Sequence, residues 1–353
     1  MARILYGVAG EGMGHAVRSR VVIEHLLKKK HHVKISGAGK AYSYLSHFFP
    51  IVETDYFRII YRNNAASYLL TFFNNVLRFP FIFFKSLRIN ALIKSFKPDL
   101  IITDFDPLVD YYAFFQKIPV ISIDNQHLIT GADHRQIVKN HSFSFFATKC
   151  IINSFIIKKN KQFITTFVPG KSLDDNVFLI KPLLREAIIK AKSTTKNHIL
   201  VYQTSKSNNK MIEAFQCLPE EHFFIYGFDQ SKKIGNVTFK KRDEKIFLED
   251  LRTCKAIITN GGFTLISEAL YLKKPILTVP VKSQFEQTLN ALHVDLWQYG
   301  MYVEELTPNL LKQFLENLAH YGQRLKTYKT YTNHEALGMI DFQIDSLLKE
   351  RKK

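Results

Sequence analysis

The chain has 353 residues, of which 46% are hydrophobic and 23% charged. That is more chain than one core usually supports, so two globular domains are expected and a disordered or fibrous protein is excluded. Cys150, Cys217 and Cys254 lie far apart with no CxxC pair, which argues against a disulfide framework or a cysteine zinc site and for a reducing cytoplasm. The formal net charge of +18 points to an anionic partner: nucleic acid, anionic lipid or a phosphorylated substrate. A general excess of lysine in solvated helix ends is the plainer reading, and charge alone does not choose.

ARILYGVAG, residues 2–10, reads as a strand. It carries a single arginine, Arg3, and does not have the form of a signal peptide. GEGMGH, residues 10–15, comes next, with Gly10, Gly12 and Gly14 in five positions and His15 closing the run. Glycine lets the backbone turn and approach a ligand, and the helix start behind it offers free N–H groups. The dinucleotide fingerprint needs a glycine where His15 stands, and no acidic residue closes the second strand, HHVKISGAG at 31–39, so NAD binding is not expected. Residues 15–30 read as a helix with Val17, Val21, Val22, His25 and Leu26 near one face. His15 in its first turn is a candidate general base, or else a histidine satisfying a loop carbonyl.

Residues 68–88, YLLTFFNNVLRFPFIFFKSLR, and 143–159, FSFFATKCIINSFIIKK, are dense in aromatic and aliphatic side chains with interspersed Lys and Arg. Asn74, Asn75, Arg78 and Pro80 interrupt the first, which makes a poor membrane span. Both fit either core helices or interfacial helices on an anionic membrane. DLIITDFD, 99–106, and IPVISIDNQH, 118–127, are further strands. Asp104 and Asp106 form a DxD pattern that could hold a metal, but in this setting they are read as shaping a cleft or touching an acceptor. Asp124, Asn125 and His127 close the next strand, with His127 a second candidate for acceptor binding or proton transfer, or else part of a hydrogen-bond network within the first domain.

The pattern restarts beyond a linker at 182–195. NHILVYQTS, 197–205, is a strand whose Thr204 and Ser205 could donate to phosphates; HFFIYGF, 222–228, is another. TNGGFTLISEAL, 259–270, is a strand end, a Gly261–Gly262 turn and a helix. Thr264 is expected to cap that helix, its N–H groups suiting a diphosphate, and Glu268 one turn on could accept both hydroxyls of a ribose. An exposed helix glutamate is the plainer reading. KPILTVPV, 274–281, is a strand, followed by a helix in which Glu286, Gln287 and Asn290 offer the paired donors and acceptors that sugar hydroxyls require. Thr332 and Glu335 form a capping box for a last helix, 335–348.

Strands alternating with helices predict an α/β chain of two doubly wound, Rossmann-like domains, 1–181 and 196–330, facing a cleft at their carboxyl strand ends. Residues 331–353 form a C-terminal helix and basic tail, expected to return to the first domain. The Gly-His loop, Gly-Gly…Ser-Glu-Ala and Glu-Gln…Asn-Ala together resemble the GT-B glycosyltransferases, in particular the MurG-like branch; GEGMGHAVRS, TDFDP and PVISIDNQH resemble related bacterial and archaeal enzymes. The resemblance implies an inverting transferase without a bound metal or other cofactor. Its donor is a nucleotide sugar, a UDP-sugar by analogy, and its acceptor a glycan or lipid-linked molecule of cell-envelope synthesis. Carried over, Glu268 holds the ribose, Gly262, Phe263 and Thr264 face the diphosphate or base, Glu286 and Gln287 hold the sugar, and His15 sits beside the reacting centre. Gly12, Gly14, Asp104, Asp106 and Asn125 belong to the acceptor side. Met13 before Gly14, and Glu286 where that branch more often has glutamine, depart from its pattern. A nucleotide-sugar 2-epimerase of the same fold is the rival enzyme. A basic nucleic-acid-binding protein is the rival of another class, though no RNA- or DNA-binding signature is present, and no nucleic-acid partner is expected.

Overall fold

A computed structural model describes residues 1–58, 60–62, 65–133, 137, 142–155, 160–203, 209–241 and 243–351. The chain divides into two compact units: Met1–Ile60 with Tyr68–Leu183 and Thr332–Lys353, and Leu184–Tyr331 with Tyr61–Ser67.

The first unit is built on a seven-stranded sheet. In spatial order its strands are Ile51–Glu53, His32–Gly37, Arg3–Val8, Leu100–Asp104, Val120–Asp124, Lys161–Thr165 and Val177–Ile180. All pair in parallel. Arg3–Val8, Leu100–Asp104, Val120–Asp124 and Lys161–Thr165 are almost wholly buried, as a sheet covered on both faces by crossover helices requires. One face packs under helices Met13–Lys28 and His334–Glu350, whose Val22, Ile23, Leu26, Ile340 and Ile344 join Ile4, Tyr6 and Ile102 in one core. The C-terminal helix thus belongs to the first unit.

From Arg3–Val8 the chain runs outward to Ile51–Glu53, then returns to lay Leu100–Asp104 against the opposite side of Arg3–Val8. That reversal makes a topological switch point between two neighbouring strands, where open α/β sheets bind ligands. In register, Val8 stands beside Asp104, so the glycine loop and the DFD turn leave the sheet side by side.

The second unit repeats the plan. Its strands run Lys232–Ile234, Val237–Phe239, Phe223–Tyr226, Ile199–Tyr202, Ala256–Thr259, Ile276–Thr278 and Gly300–Tyr302, antiparallel only at the first pair. Its switch point falls between Ile199–Tyr202 and Ala256–Thr259.

Two local expectations are corrected. The helix after Ala256–Thr259 spans Phe263–Tyr271 with Gly262 at its N-cap, so Thr264 lies inside the first turn and does not cap it. The last helix, His334–Glu350, has Asn333 at its N-cap and no side-chain capping bond; the Thr332 hydroxyl accepts the His334 N–H, at 3.4 Å. A residue in the αR region at the cap leaves the capping box no room. The apolar stretch from 68 forms one helix, Tyr68–Phe96, with Pro80 inside it. Proline removes a backbone hydrogen bond from a helix but need not end it when the packing of the helix's buried face offsets that cost.

Candidate functional site

The first strand ends in the glycine loop because its backbone must turn sharply into a helix. Gly12 is the N-cap of Met13–Lys28 at φ +85°, a region other residues rarely enter. Gly14 and His15 lie in the first turn. His15, Arg18 and Ser19 fall at i, i+3 and i+4, hence on one helix face, and all three converge on Asp104.

Asp104 is wholly buried. Its Oδ1 lies 2.7 Å from His15 Nδ1 and accepts from an Arg18 guanidinium nitrogen at 2.6 Å. Its Oδ2 accepts from Arg18 Nε at 2.9 Å and from the Ser19 hydroxyl at 3.0 Å. Four contacts saturate a carboxylate, and the Arg18 charge balances it, which is how a buried ionic group is tolerated. With Asp104 accepting from Nδ1–H, the opposite His15 nitrogen, Nε2, carries the lone pair; the Gln126 amide stands 3.2 Å from it. An imidazole oriented by a buried carboxylate, with its second nitrogen toward a side-chain amide, is a general base in form.

The next strand end builds a second histidine–aspartate pair. His127 Nδ1 lies 2.7 Å from Asp124 Oδ2, the Ser122 hydroxyl donates to the same oxygen at 2.5 Å, and the His127 backbone N–H donates to Asp124 Oδ1 at 2.9 Å. Burial pushes the Asp124 carboxyl up, but the His127 ring and these donors together hold it below the usual carboxylate range. His127 is fully buried, and among the described residues its Nε2 has no hydrogen-bond partner. Between the two histidines stands Phe105, its ring stacked 6.4 Å from His15 and edge-on 5.6 Å from His127. Its backbone sits at φ +57°, a conformation costing about 1–3 kcal/mol for such a residue and typical of functional turns.

Asp106 and Asn125 are placed differently. Asp106 caps helix Pro107–Phe115, accepting the Leu108 N–H at 3.0 Å. Burial pushes its carboxyl up to about 7, against the pull of the Leu108 and Val109 N–H groups. The two carboxylates of the DFD turn therefore serve separate internal partners. Asn125 is buried, its amide donating to the Thr165 carbonyl at 3.0 Å.

In the second unit the structure draws Gly261, Gln287 and Asn290 together. Gly261 turns the chain at φ +91°, and an added Cβ would stand 2.7 Å from the Gln287 carbonyl oxygen. The Asn290 amide donates to the Gly261 carbonyl at 3.0 Å, and the Gln287 side chain accepts the Val281 N–H at 2.9 Å. Asn260, which the sequence did not single out, donates to Gln203 at 2.7 Å and to the Val279 carbonyl at 3.0 Å, fastening three strand ends. Gly262 leaves the first-turn N–H groups of Phe263–Tyr271 without a side-chain cap, a setting that favours anions. Glu286 is half-buried in the first turn of Phe285–Leu296. Thr204 and Ser205 lie outside the described residues.

Glu268 stands apart from this group. It is buried, and both its oxygens accept from Arg185, at 2.7 and 2.6 Å. Arg185 also donates to Glu244 at 3.0 Å, and these carboxylates hold its guanidinium above its ordinary range despite burial. Nothing in the local pattern of PLLREA marked Arg185, because its partners lie 83 and 59 positions away. A ribose reaching Glu268 must share the carboxylate with Arg185 or displace it.

A family model described as glycosyl transferase family 1 matches residues 2–319. An uncharacterized glycosyltransferase of Methanosarcina acetivorans is 24% identical over 335 residues, covering 87% of this chain and 86% of that protein. The UDP-N-acetylglucosamine--N-acetylmuramyl-(pentapeptide) pyrophosphoryl-undecaprenol N-acetylglucosamine transferase of Clostridium novyi is 28% identical over 214 residues, 56% of this chain and 57% of that one. Among solved structures, the glycotransferase of kitacinnamycin superposes with a TM-score of 0.68 at 14% identity, over 97% of this chain and 99% of that chain. At that identity the likeness speaks for the fold, which is the GT-B fold.

Proposed function

The chain belongs to glycosyl transferase family 1, and from that premise we propose that it is an inverting, metal-independent transferase carrying a hexosyl or N-acetylhexosaminyl group from a UDP-sugar to a hydroxyl of a glycan or lipid-linked acceptor. The observation that carries this reading is the His15–Asp104 pair at the switch point of the first sheet. His15 Nε2 takes the proton of the acceptor hydroxyl while that oxygen bonds to the anomeric carbon. The bond from the anomeric carbon to the diphosphate oxygen breaks on the opposite face, and the diphosphate leaves with the electron pair. One displacement inverts the anomeric centre. Asp104 steadies the imidazolium through its Nδ1–H.

In the second unit, the first-turn N–H groups of Phe263–Tyr271 face the leaving diphosphate, dipoles aimed at developing charge. Thr204 and Ser205 supply further donors. Glu286 and Gln287 hold the sugar and Glu268 the ribose, in competition with Arg185. The metal-independent reading is supported by the separate internal duties of Asp104 and Asp106. Uridine is supported by the donor that the name of the Clostridium novyi relative carries.

The test is thermal unfolding with UDP, GDP, dTDP, ADP and CMP, with the Glu268→Gln variant beside the unchanged protein. Glutamine keeps the shape and part of the bonding to Arg185, where alanine would strand a buried guanidinium. A ligand at about 100 times its dissociation constant adds about 2.7 kcal/mol. UDP is expected to raise the midpoint of the wild type most and to lose much of that effect in Glu268→Gln. A protein that no nucleotide stabilises would sink the donor assignment.

A further inference from the structure

The helix Tyr68–Phe96 has two opposite faces of different fates. Ile82, Ser86, Ile89 and Ile93, spaced i, i+4, i+7 and i+11, are buried. The three isoleucines pack with Leu5, Ile101, Leu108 and Val109 in a core of the first unit. On the far side Phe73, Leu77, Phe81 and Phe84 are spaced i, i+4, i+8 and i+11, and Leu77, Phe81 and Phe84 are 77, 69 and 68% exposed. Val76, Phe79 and Phe83 flank that stripe, each at least half exposed. The patch continues onto the neighbouring helix. Gln116 donates to Asn90 at 3.1 Å, so the exposed Phe114 and Phe115 that end Pro107–Phe115 lie beside the second half of the long helix. Soluble proteins rarely leave so many large apolar side chains contiguous in water without a partner.

Charge selects the occupant. Tyr68–Phe96 contains no Asp or Glu. Arg78 is held by Asp55 and Lys85 lies near Glu53, whereas Arg88, Lys94, Lys97 and Lys117 are exposed along the patch and its rim. A second copy of the chain meeting this face about a two-fold axis would set like charges against each other. A sheet of anionic headgroups over hydrocarbon satisfies both the cations and the phenylalanines. No helix among the described residues is long and apolar enough to cross a membrane.

We propose that the outer face of Tyr68–Phe96, led by Leu77, Phe81 and Phe84 with Arg88 beside them, docks the first unit onto an anionic lipid bilayer. The phenylalanines enter the headgroup–acyl boundary and the cations pair with lipid phosphates. This docking does not depend on the donor reading, because it needs no nucleotide.

The test is flotation of the full chain with vesicles of equal parts phosphatidylglycerol and phosphatidylcholine at low salt, beside pure phosphatidylcholine vesicles. The protein is expected to float with the anionic vesicles and about tenfold less with the neutral ones. Phe81→Asp/Phe84→Asp and, separately, Arg88→Glu should each cut anionic flotation by about tenfold or more, with the thermal midpoint and its shift by UDP unchanged. Should the double variant fail to fold, Phe81→Trp replaces it, and added vesicles should blue-shift its emission beyond the Trp297 background. Failure to float with anionic vesicles overturns the proposal. So does flotation that none of these changes affects, an unshifted Phe81→Trp emission, or a dimer in solution that Phe81→Asp/Phe84→Asp dissolves. Loss of the UDP shift with flotation intact would count against the donor reading and leave the docking standing.

Discussion

Asp104 is shared by His15, Arg18 and Ser19, so changing it would disturb a buried ion pair as well as the base. Removing one partner of such a pair typically costs about 3–5 kcal/mol, which would confuse a kinetic reading. His15 is the better probe: its ring reaches the pair from the rim, and Arg18 and Ser19 still satisfy Asp104 without it. His15→Ala is expected to lower kcat by about 10²–10⁴ and to leave KM for the nucleotide sugar nearly unchanged. A kcat within about twofold of the wild type would refute the base role. Asp106 invites a different test. Its carboxyl is pushed up to about 7 by burial, while in the unfolded chain it titrates near 4. Between about pH 4 and about pH 7 the native state therefore binds the proton that the unfolded state has released, and stability falls as pH rises through that window. Asp106→Asn keeps a good N-cap and removes the titration. Its unfolding free energy should be flatter across the window and higher at neutral pH, by about 4 kcal/mol at most. Urea unfolding of both proteins from pH 4.5 to 8 measures the difference, and parallel curves would refute it.

At the scale of elements, the turn after Ala256–Thr259 depends on a glycine that contacts backbone. A Cβ on Gly261 meets the Gln287 carbonyl oxygen at 2.7 Å and has to be accommodated at φ +91°. Gly262, one residue on, has open space around it. Gly261→Ala should cost about 1–3 kcal/mol and weaken the UDP-dependent rise in midpoint, whereas Gly262→Ala should do neither. Equal effects from both would show that the turn is not held as described. The contrast marks what the sequence made legible. A glycine run after an apolar, β-branched segment announces a strand end and a helix start, and those helices form where expected. Identical letters did not say which glycine has no room for a side chain and which is merely small, because that depends on Gln287, which packs from another helix. Arg185 and Asn260 were silent for the same reason: their roles rest on partners brought near by the fold. Short strands such as Ile51–Glu53 and Gly300–Tyr302 escaped because three residues are too few to show a period. Pro80 weakens the stretch as a membrane span, as read, without ending the helix, since the buried stripe from Ile82 to Ile93 outweighs the local cost of a proline there.

For the whole molecule, the α/β class was readable because buried parallel strands appear as unbroken apolar runs between amphipathic helices. Stability is the property the sequence left least visible. The last helix lies some 150 positions beyond the rest of the first unit, yet Ala336, Leu337, Ile340, Ile344 and Leu347 complete the core around Ile4, Val22 and Leu26. Ile340 is fully buried there. Ile340→Ala removes its transfer energy and leaves a cavity, together costing about 2–5 kcal/mol. That loss belongs to the unit whose core holds the cavity. In hydrogen exchange the variant should lose protection in Arg3–Val8 and Leu100–Asp104, while Ala256–Thr259 keeps its own and still gains protection from UDP. Because a nucleotide that binds only the second unit stabilises only what unfolds with it, the same experiment reports whether the two units are energetically separate. Equal loss of protection in Ala256–Thr259 would mean that they unfold as one, with the C-terminal helix holding the stability of both.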